Sequence, residues 1–350
     1  MAADFYGKVI CIFGASGQLG KFLARRILRD GYSLRILARD PEKVVRLAQQ
    51  TAQVVYADLT DAASLQAAVR GCHYVFHLAG AARQHAPKSY IQQLNVEGAR
   101  ALAEAVLQAG AERFIYVSCA QVYGAPRNGS IDEFARLHRS NEPYIDSKVK
   151  AELVLHKMAA QSDLPLIIPQ LSMVYGPGMD TWTLQPLRKI AAGQFVLPDH
   201  GAGLLHPLYI DDAVDGILAT AMSGEVGQAY ILCGPDVVTT AEFFGHYARM
   251  LGVESIPTIS AGQALREATL AEWSAKLYGQ PPEKTRAEVQ GLMMRHICNG
   301  GKAYYNLEFA PLVRLDEGMQ RVQEWLRKEF AAQKQVREAT DHGKRPGLIT

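Results

Sequence analysis

Tyr144 and Lys148 stand four residues apart in Tyr144-Ile145-Asp146-Ser147-Lys148. That spacing puts two side chains on one face of a helix, one turn apart. An unperturbed phenol has a pKa of about 10 and exchanges protons poorly at neutral pH. An ammonium group one turn away favours the phenolate and lowers that value. A tyrosine tuned in this way can take a proton from an alcohol or give one to a carbonyl. Such pairs also arise on ordinary helices, so this one gains its meaning from what stands upstream. Gly14-Ala15-Ser16-Gly17-Gln18-Leu19-Gly20 follows the apolar run Val9–Phe13 and opens onto the amphipathic stretch Lys21–Leu28. A buried strand turning through glycines into a helix is a cradle for a dinucleotide. The first glycine allows the tight turn and the second lets backbone approach a pyrophosphate. The third lets helix and strand pack, with the positive end of the helix dipole toward the phosphates. The spacing is G-x-x-G-x-x-G, in place of the commoner G-x-G-x-x-G.

The elements that must position these residues alternate along the first half. Candidate strands are Val9–Phe13, Leu34–Leu37, Val54–Tyr56, Tyr74–Leu78, Phe114–Ser118 and Leu166–Pro169, with helical patterns such as Ala62–Val69 and Val96–Gln108 between them. This pitch predicts an α/β fold, a Rossmann-type doubly wound parallel sheet. From Gly176 onward Pro177, Gly178, Pro186, Gly193, Pro198, Gly201, Gly203 and Pro207 interrupt the pattern. Order returns with a helix at Asp212–Ser223, a strand at Ala229–Leu232 and a helix at Leu315–Phe330. The expected division is a dinucleotide-binding unit over 1–176, rejoined by 206–234, and a smaller mixed α/β substrate lobe from 177–205 and 235–330. The polar, patternless stretch 331–350 reads as a mobile tail.

Composition narrows the partners. A chain of 350 residues, 48% apolar and 21% charged, is long enough to bury a sizeable core. A net charge of +2, with no basic run interleaved with aromatics, argues against nucleic acid. Cys11, Cys72, Cys119, Cys233 and Cys298 are scattered, odd in number and lack a C-x-x-C. They read as reduced thiols, with no disulfide framework and no metal site. No 18-residue apolar run and no signal layout is present, so a cytoplasmic protein without a membrane span is expected. His73, His85, His138, His156, His200 and His246 read as surface or loop residues. Met293-Met294, Trp273 and Tyr278 read as core packing of the smaller lobe.

Over residues 8 to 330 the chain resembles the extended short-chain dehydrogenases/reductases, the NAD-dependent epimerase/dehydratase family. The resemblance rests on Gly14-x-x-Gly17-x-x-Gly20, Asp58-Leu59, His77-Leu78-Ala79-Gly80 and Asn95-Val96-Glu97-Gly98. It continues in Val117-Ser118-Cys119-Ala120-Gln121-Val122-Tyr123-Gly124, Tyr144-x-x-x-Lys148 with Ala151-Glu152, Val174-Tyr175-Gly176-Pro177-Gly178 and Tyr209-Ile210-Asp211-Asp212. The resemblance implies that Tyr144 transfers the proton, that Lys148 binds the nicotinamide ribose and tunes Tyr144, and that Asn95 supports the site from behind. It also implies cofactor contacts from Gly14, Ser16, Gly17, Gln18, Leu19, Gly20, Asp58 (to the adenine), Leu59, Leu78, Ala79, Gly80, Leu171 and Val174. Dimers through two sheet-flanking helices are common in this family, so the resemblance makes a homodimer the default expectation.

Four departures shape the expected activity. Where the family carries a second hydroxyl that bonds the substrate oxygen, this chain has Cys119, preceded by Ser118. A thiol is a weaker donor, and neighbours on a strand point to opposite faces, so Ser118 cannot simply take its place. Before Val174-Tyr175-Gly176 the usual Arg-Pro is replaced by Gln170-Leu171. Gly203-Leu204-Leu205-His206-Pro207 lacks the arginine that clamps a sugar-nucleotide diphosphate, and Ala120-Gln121 replaces the Asp-Glu of dehydratases. The branch most resembled is that of 3β-hydroxysteroid dehydrogenases and dihydroflavonol reductases.

At the end of the second strand, Ala38-Arg39-Asp40-Pro41 with Lys43 one turn on puts cations where an acid would hold a free 2′-hydroxyl. NADP(H) is therefore expected over NAD(H). The reading of the whole is an NADP(H)-dependent oxidoreductase acting on a secondary alcohol or ketone of a bulky, fairly apolar small molecule. The alternatives are a cofactor-binding protein with little turnover and a sugar-nucleotide epimerase.

Overall fold

The computed structural model describes residues 5–48, 51–81, 86–124, 129–280, 282 and 284–342, with side chains as far as 329. His85 lies outside them. The first half runs β1 (Val9–Phe13), α1 (Gln18–Arg29), β2 (Ser33–Ala38), α2 (Glu42–Ala48), β3 (Gln53–Tyr56), α3 (Ala62–Val69), β4 (Tyr74–His77), α4 (Lys88–Gln92) and α5 (Gly98–Ala109). It continues with β5 (Arg113–Tyr116), β6 (Ser118–Cys119), β7 (Gly129–Ile131), α6 (Pro143–Gln161), β8 (Leu166–Leu171) and β9 (Met173–Tyr175). The main sheet is parallel, in the order Ala229–Leu232, β8, β5, β4, β1, β2, β3, with β6 also paired to β8. The chain winds outward from β1 through β2 and β3, then returns to β4 and winds the other way. The switch point therefore lies between β1 and β4, where such sheets take ligands at their carboxyl ends.

β1 shows why its sequence is an unbroken apolar run. Ile10 and Ile12 enter a core shared with α1 and the helix Ile210–Ser223, while Cys11 and Phe13 enter the opposite core shared with α3, α5 and α6. A central parallel strand is covered on both faces, so alternation disappears. α3 starts where Asp61 accepts hydrogen bonds from the Ala63 and Ser64 amides. α6 starts with Glu142 accepting from the Ile145 amide and Pro143 in its first turn.

Four expectations are corrected. The strand expected over Phe114–Ser118 is interrupted at Val117, whose carbonyl accepts a hydrogen bond from Lys148 Nζ at 2.9 Å. The helix expected from Val96 begins regularly only at Gly98, after a π-helical turn over Gln93–Glu97. The final helix spans Leu315–His342, so 331–342, read as tail, is helical. Its apolar periodicity fades near Phe330, but Ala331-Ala332-Gln333-Lys334-Gln335 are good helix formers. Trp273 and Tyr278 are 65% and 73% exposed on the helix Ala261–Tyr278, which buries its small residues Ala264, Ala268 and Ala275 instead.

In the second half β9 pairs in parallel with Pro207–Tyr209, and His296–Cys298 pairs in parallel with β7. A separate aromatic core of Tyr175, Tyr209, Phe243, Phe244 and Tyr247 lies here, joined by Met319 and Val322 of the final helix.

Candidate active site

The glycine turn sits at the carboxyl end of β1. Gly14 has φ of +110°, and a Cβ there would lie 2.5 Å from the Ala79 amide nitrogen. At Gly20 a Cβ would strike the Gly14 carbonyl, its carbon 2.8 Å away. These two glycines let β1, α1 and the end of β4 converge. Gly17 is the N-cap of α1 and contributes no side-chain cap, which leaves the first-turn amides open to an anion. Ser16 is exposed beside it. Gln18 is otherwise engaged: its amide donates to the Gly178 carbonyl at 2.6 Å and accepts from the Asp180 amide at 2.8 Å. It straps the turn to the segment after β9, while Leu19 packs against both neighbouring cores. Gly20→Ala is expected to lower the melting temperature by several degrees and abolish dinucleotide binding, because backbone has to move to admit the methyl group. Wild-type affinity in that variant would contradict this packing.

Further along the same sheet edge, Asp58 Oδ1 accepts from the Thr60 amide and hydroxyl, both at 2.8 Å. Leu59 is buried beneath it, against Gly98. The Leu78 and Ala79 amides both donate to the Phe13 carbonyl, at 2.8 and 3.0 Å, which locks the β4 exit onto β1. Gly80 faces the Asn95 side chain, whose Oδ1 accepts from the Ala81 amide at 2.7 Å. Asn95 Nδ2 also donates to Ser147 Oγ at 2.8 Å, so this one residue joins the β4 exit to α6. Arg39 is exposed at the end of β2, where Tyr90, Asp58 and Asp40 hold its guanidinium pKa above the ordinary value. Lys43 pairs with Asp40 at 2.9 Å. Leu171 is buried opposite Cys119 in the β6–β8 register, and Val174 is half-buried on β9.

Tyr144, Lys148 and Glu152 share one face of α6, at successive turns. Lys148 is buried; besides its bond to the Val117 carbonyl, its ammonium lies 4.6 Å from the Tyr116 ring centroid and 5.9 Å from that of Tyr144. Sequence reasoning has this ammonium lowering the Tyr144 pKa. The structure has that pKa raised instead, first by burial and then by the neighbouring Cys119 and Glu142. The Cys119 thiol is pushed up to about 12 by burial, against the pull of Lys148. It is therefore protonated at neutral pH and available only as a weak donor. Ser118 points the other way, buried toward Glu152.

Behind this pair lies a polar chain whose function the sequence did not disclose. Tyr123 Oη donates to Gln170 Oε1 at 2.7 Å, and Gln170 Nε2 donates to Glu152 Oε2 at 2.9 Å. Glu152 is fully buried, and burial raises its pKa to about 7, opposed by Ser118, Gln170 and Lys148. His77, also buried, is held neutral with its pKa down to about 3, by burial and by Lys148. The one signal in the sequence was Glu152 a turn beyond Lys148, which no spacing rule links to Gln170.

The profile of the NAD dependent epimerase/dehydratase family matches residues 10–233. The 3-diazoavenalumate denitrifying reductase of a Streptomyces species is 29% identical over 269 residues, 73% of this chain and 86% of that protein. The 3beta-hydroxysteroid-dehydrogenase/decarboxylase isoform 1 of Arabidopsis thaliana is 27% identical over 295 residues, 77% of this chain and 65% of that protein. In fold, the chain is similar to DesIV, the dTDP-glucose 4,6-dehydratase of Streptomyces venezuelae solved with NAD and TYD bound. The TM-score is 0.76 over 91% of this chain and 97% of that one, at 23% identity. The matched stretch runs from within β1 to just past the strand Ala229–Leu232, and so takes in the glycine turn, the main sheet and the Tyr144–Lys148 face of α6. The chain belongs to the NAD dependent epimerase/dehydratase family, the extended short-chain dehydrogenases/reductases.

Proposed function

We propose that the protein is an NADP(H)-dependent oxidoreductase that interconverts a secondary alcohol and a ketone on a bulky, fairly apolar molecule. The observation that carries this reading is the placement of Tyr144 beside Cys119 and Lys148, with an apolar cluster of Ala120, Val122, Ile131, Val149 and Ile231 against the thiol. When bound, the reduced dinucleotide supplies a hydride to the carbonyl carbon. Tyr144 gives its phenolic proton to the carbonyl oxygen and takes it back in the reverse direction. Lys148 holds the ribose, Asn95 braces the β4 exit, and the uncapped first turn of α1 holds the pyrophosphate. The residues of 177–205 and 235–330 are assigned to substrate recognition. The absence of arginine from Gly203–Pro207 favours an apolar ligand over a sugar nucleotide. A panel of apolar ketones and UDP-sugars with NADPH tests this; turnover of the sugar nucleotides alone would make the protein an epimerase-like enzyme.

The preference for NADP(H) rests on Arg39, exposed at the end of β2 where a 2′-phosphate would lie. Arg39→Ala is expected to weaken NADPH binding about tenfold or more and leave NADH little changed, as read by cofactor fluorescence. Equal affinity for both dinucleotides, unaffected by the substitution, would overturn the preference.

One observation favours a second reading, a dinucleotide-binding protein with little turnover. The Cys119 thiol, held protonated by burial, is a poor replacement for a hydroxyl donor. Tight NADPH binding with no turnover across the panel, in wild type and Cys119→Ser alike, would select it.

A further inference from the structure

Proton transfer at Tyr144 makes no direct use of the carboxyl two turns along the same helix. Glu152 has no exposure to solvent, and only Oε2 has a hydrogen-bond partner; Oε1 is buried without one among the described residues. The groups that face it are Lys148 from its own helix, Tyr116 from β5, Ser118 and Cys119 from β6, Tyr123 from the turn that follows, and Gln170 from β8. Of these only Lys148 carries a positive charge. Tyr116, Cys119 and Tyr123 all have raised pKa values and are neutral near pH 7. Lys148 in turn is buried, a position that favours loss of its proton, and the groups that oppose that loss are Cys119 and Glu152. With the thiol protonated, the carboxyl one turn along the same buried face of α6 is the group that, when ionised, opposes that loss.

We propose that Glu152 is a positioning residue that keeps Lys148 charged and seated beneath Tyr144, with Tyr123 and Gln170 forming the arm that holds the carboxylate in place. The inference rests on the reading of Lys148 as part of the dinucleotide site. The orientation of the arm fits: Gln170 spends its N–H on Glu152 and its carbonyl on Tyr123, so its amide dipole points a donor at the carboxylate. Burial brings the carboxyl to titrate near neutrality, so its state can be followed.

The test has two arms. In infrared pH titrations the carbonyl stretch of the protonated carboxyl is expected to vanish with a midpoint near pH 7 and to be missing from Glu152→Gln. Removing the neighbouring charge in Lys148→Met, or in Lys148→Gln if that variant does not fold, is expected to raise the midpoint by about one unit. A midpoint that does not move overturns the inference whether or not a dinucleotide binds. In the second arm NADPH and NADH dissociation constants are measured from neutral into alkaline pH, because burial lowers the Lys148 pKa from its ordinary value. The alkaline loss of affinity is expected about one unit lower in Glu152→Gln and at its wild-type position in Glu152→Asp. A merely structural residue would weaken binding equally at every pH, and that result overturns the proposal. If neither dinucleotide binds at any pH, the functional reading fails, and the Lys148 arm still decides the coupling.

Discussion

Tyr144→Phe is expected to abolish ketone reduction with NADPH, while Cys119→Ser is expected to preserve or raise it. The two substitutions separate the two donors that the proposed mechanism assigns to a carbonyl oxygen. In the proposed mechanism Tyr144 supplies the hydroxyl proton, and removing it leaves a ring of the same shape with nothing to transfer. Cys119 stands where a second hydroxyl would help, and its thiol, raised to about 12, is neutral and a weak donor. Loss of one such donor costs on the order of 10² to 10³ in rate. Turnover of the wild type should therefore be slow, and the serine should recover part of that factor. Steady-state rates of the three proteins on one ketone panel make the comparison, with NADPH affinity as the control for folding. Full activity in Tyr144→Phe would falsify the mechanism.

Glu152→Gln is expected to stabilise the protein in a pH-dependent way. The carboxyl titrates near 4.3 in an unfolded chain and near 7 in the folded one. A folded-state pKa raised in this way means that the protonated acid is accommodated at low pH and that stability is lost as pH rises through 7. The unfolded chain gives up its proton first, and the folded chain must then bury a charge. The size of the loss is on the order of 3 kcal/mol once both states are ionised. Glutamine is neutral throughout. Wild type and variant should melt together near pH 4.5, where both bury a neutral group, and the variant should melt several degrees higher at pH 8. Thermal melts across that range read the effect. A constant difference between the two proteins would show that Glu152 does not titrate in this window.

Much of this molecule is legible without coordinates, because much of it is local. β1 and Ala229–Leu232 fall where their apolar runs predict, and α3 spans Ala62–Val69 as its pattern and its Asp61 cap require. The glycine turn was readable for the same reason: an unusual φ at Gly14 and a methyl-free approach at Gly20 are demands that one residue type answers. The Tyr144 and Lys148 pairing follows from helical spacing alone. What those residues experience does not. Spacing put an ammonium near a phenol, but the fold interrupts the strand at Val117 and turns the ammonium to that carbonyl, and burial then raises the phenol's pKa. Gln170 was visible only as an odd residue before β9. Its partners, Tyr123 and Glu152, come from a turn and a helix 47 and 18 residues away, and only the packing of α6 on β8 brings the three together. The exposed Trp273 and Tyr278 make the same point from outside: a helix buries whichever face its neighbours cover, and here they cover alanines. Sequence periodicity specifies backbone and which residues share a face. Desolvation, hydrogen-bond partners and charge depend on distances between elements remote in the chain, and those the tertiary structure alone decided.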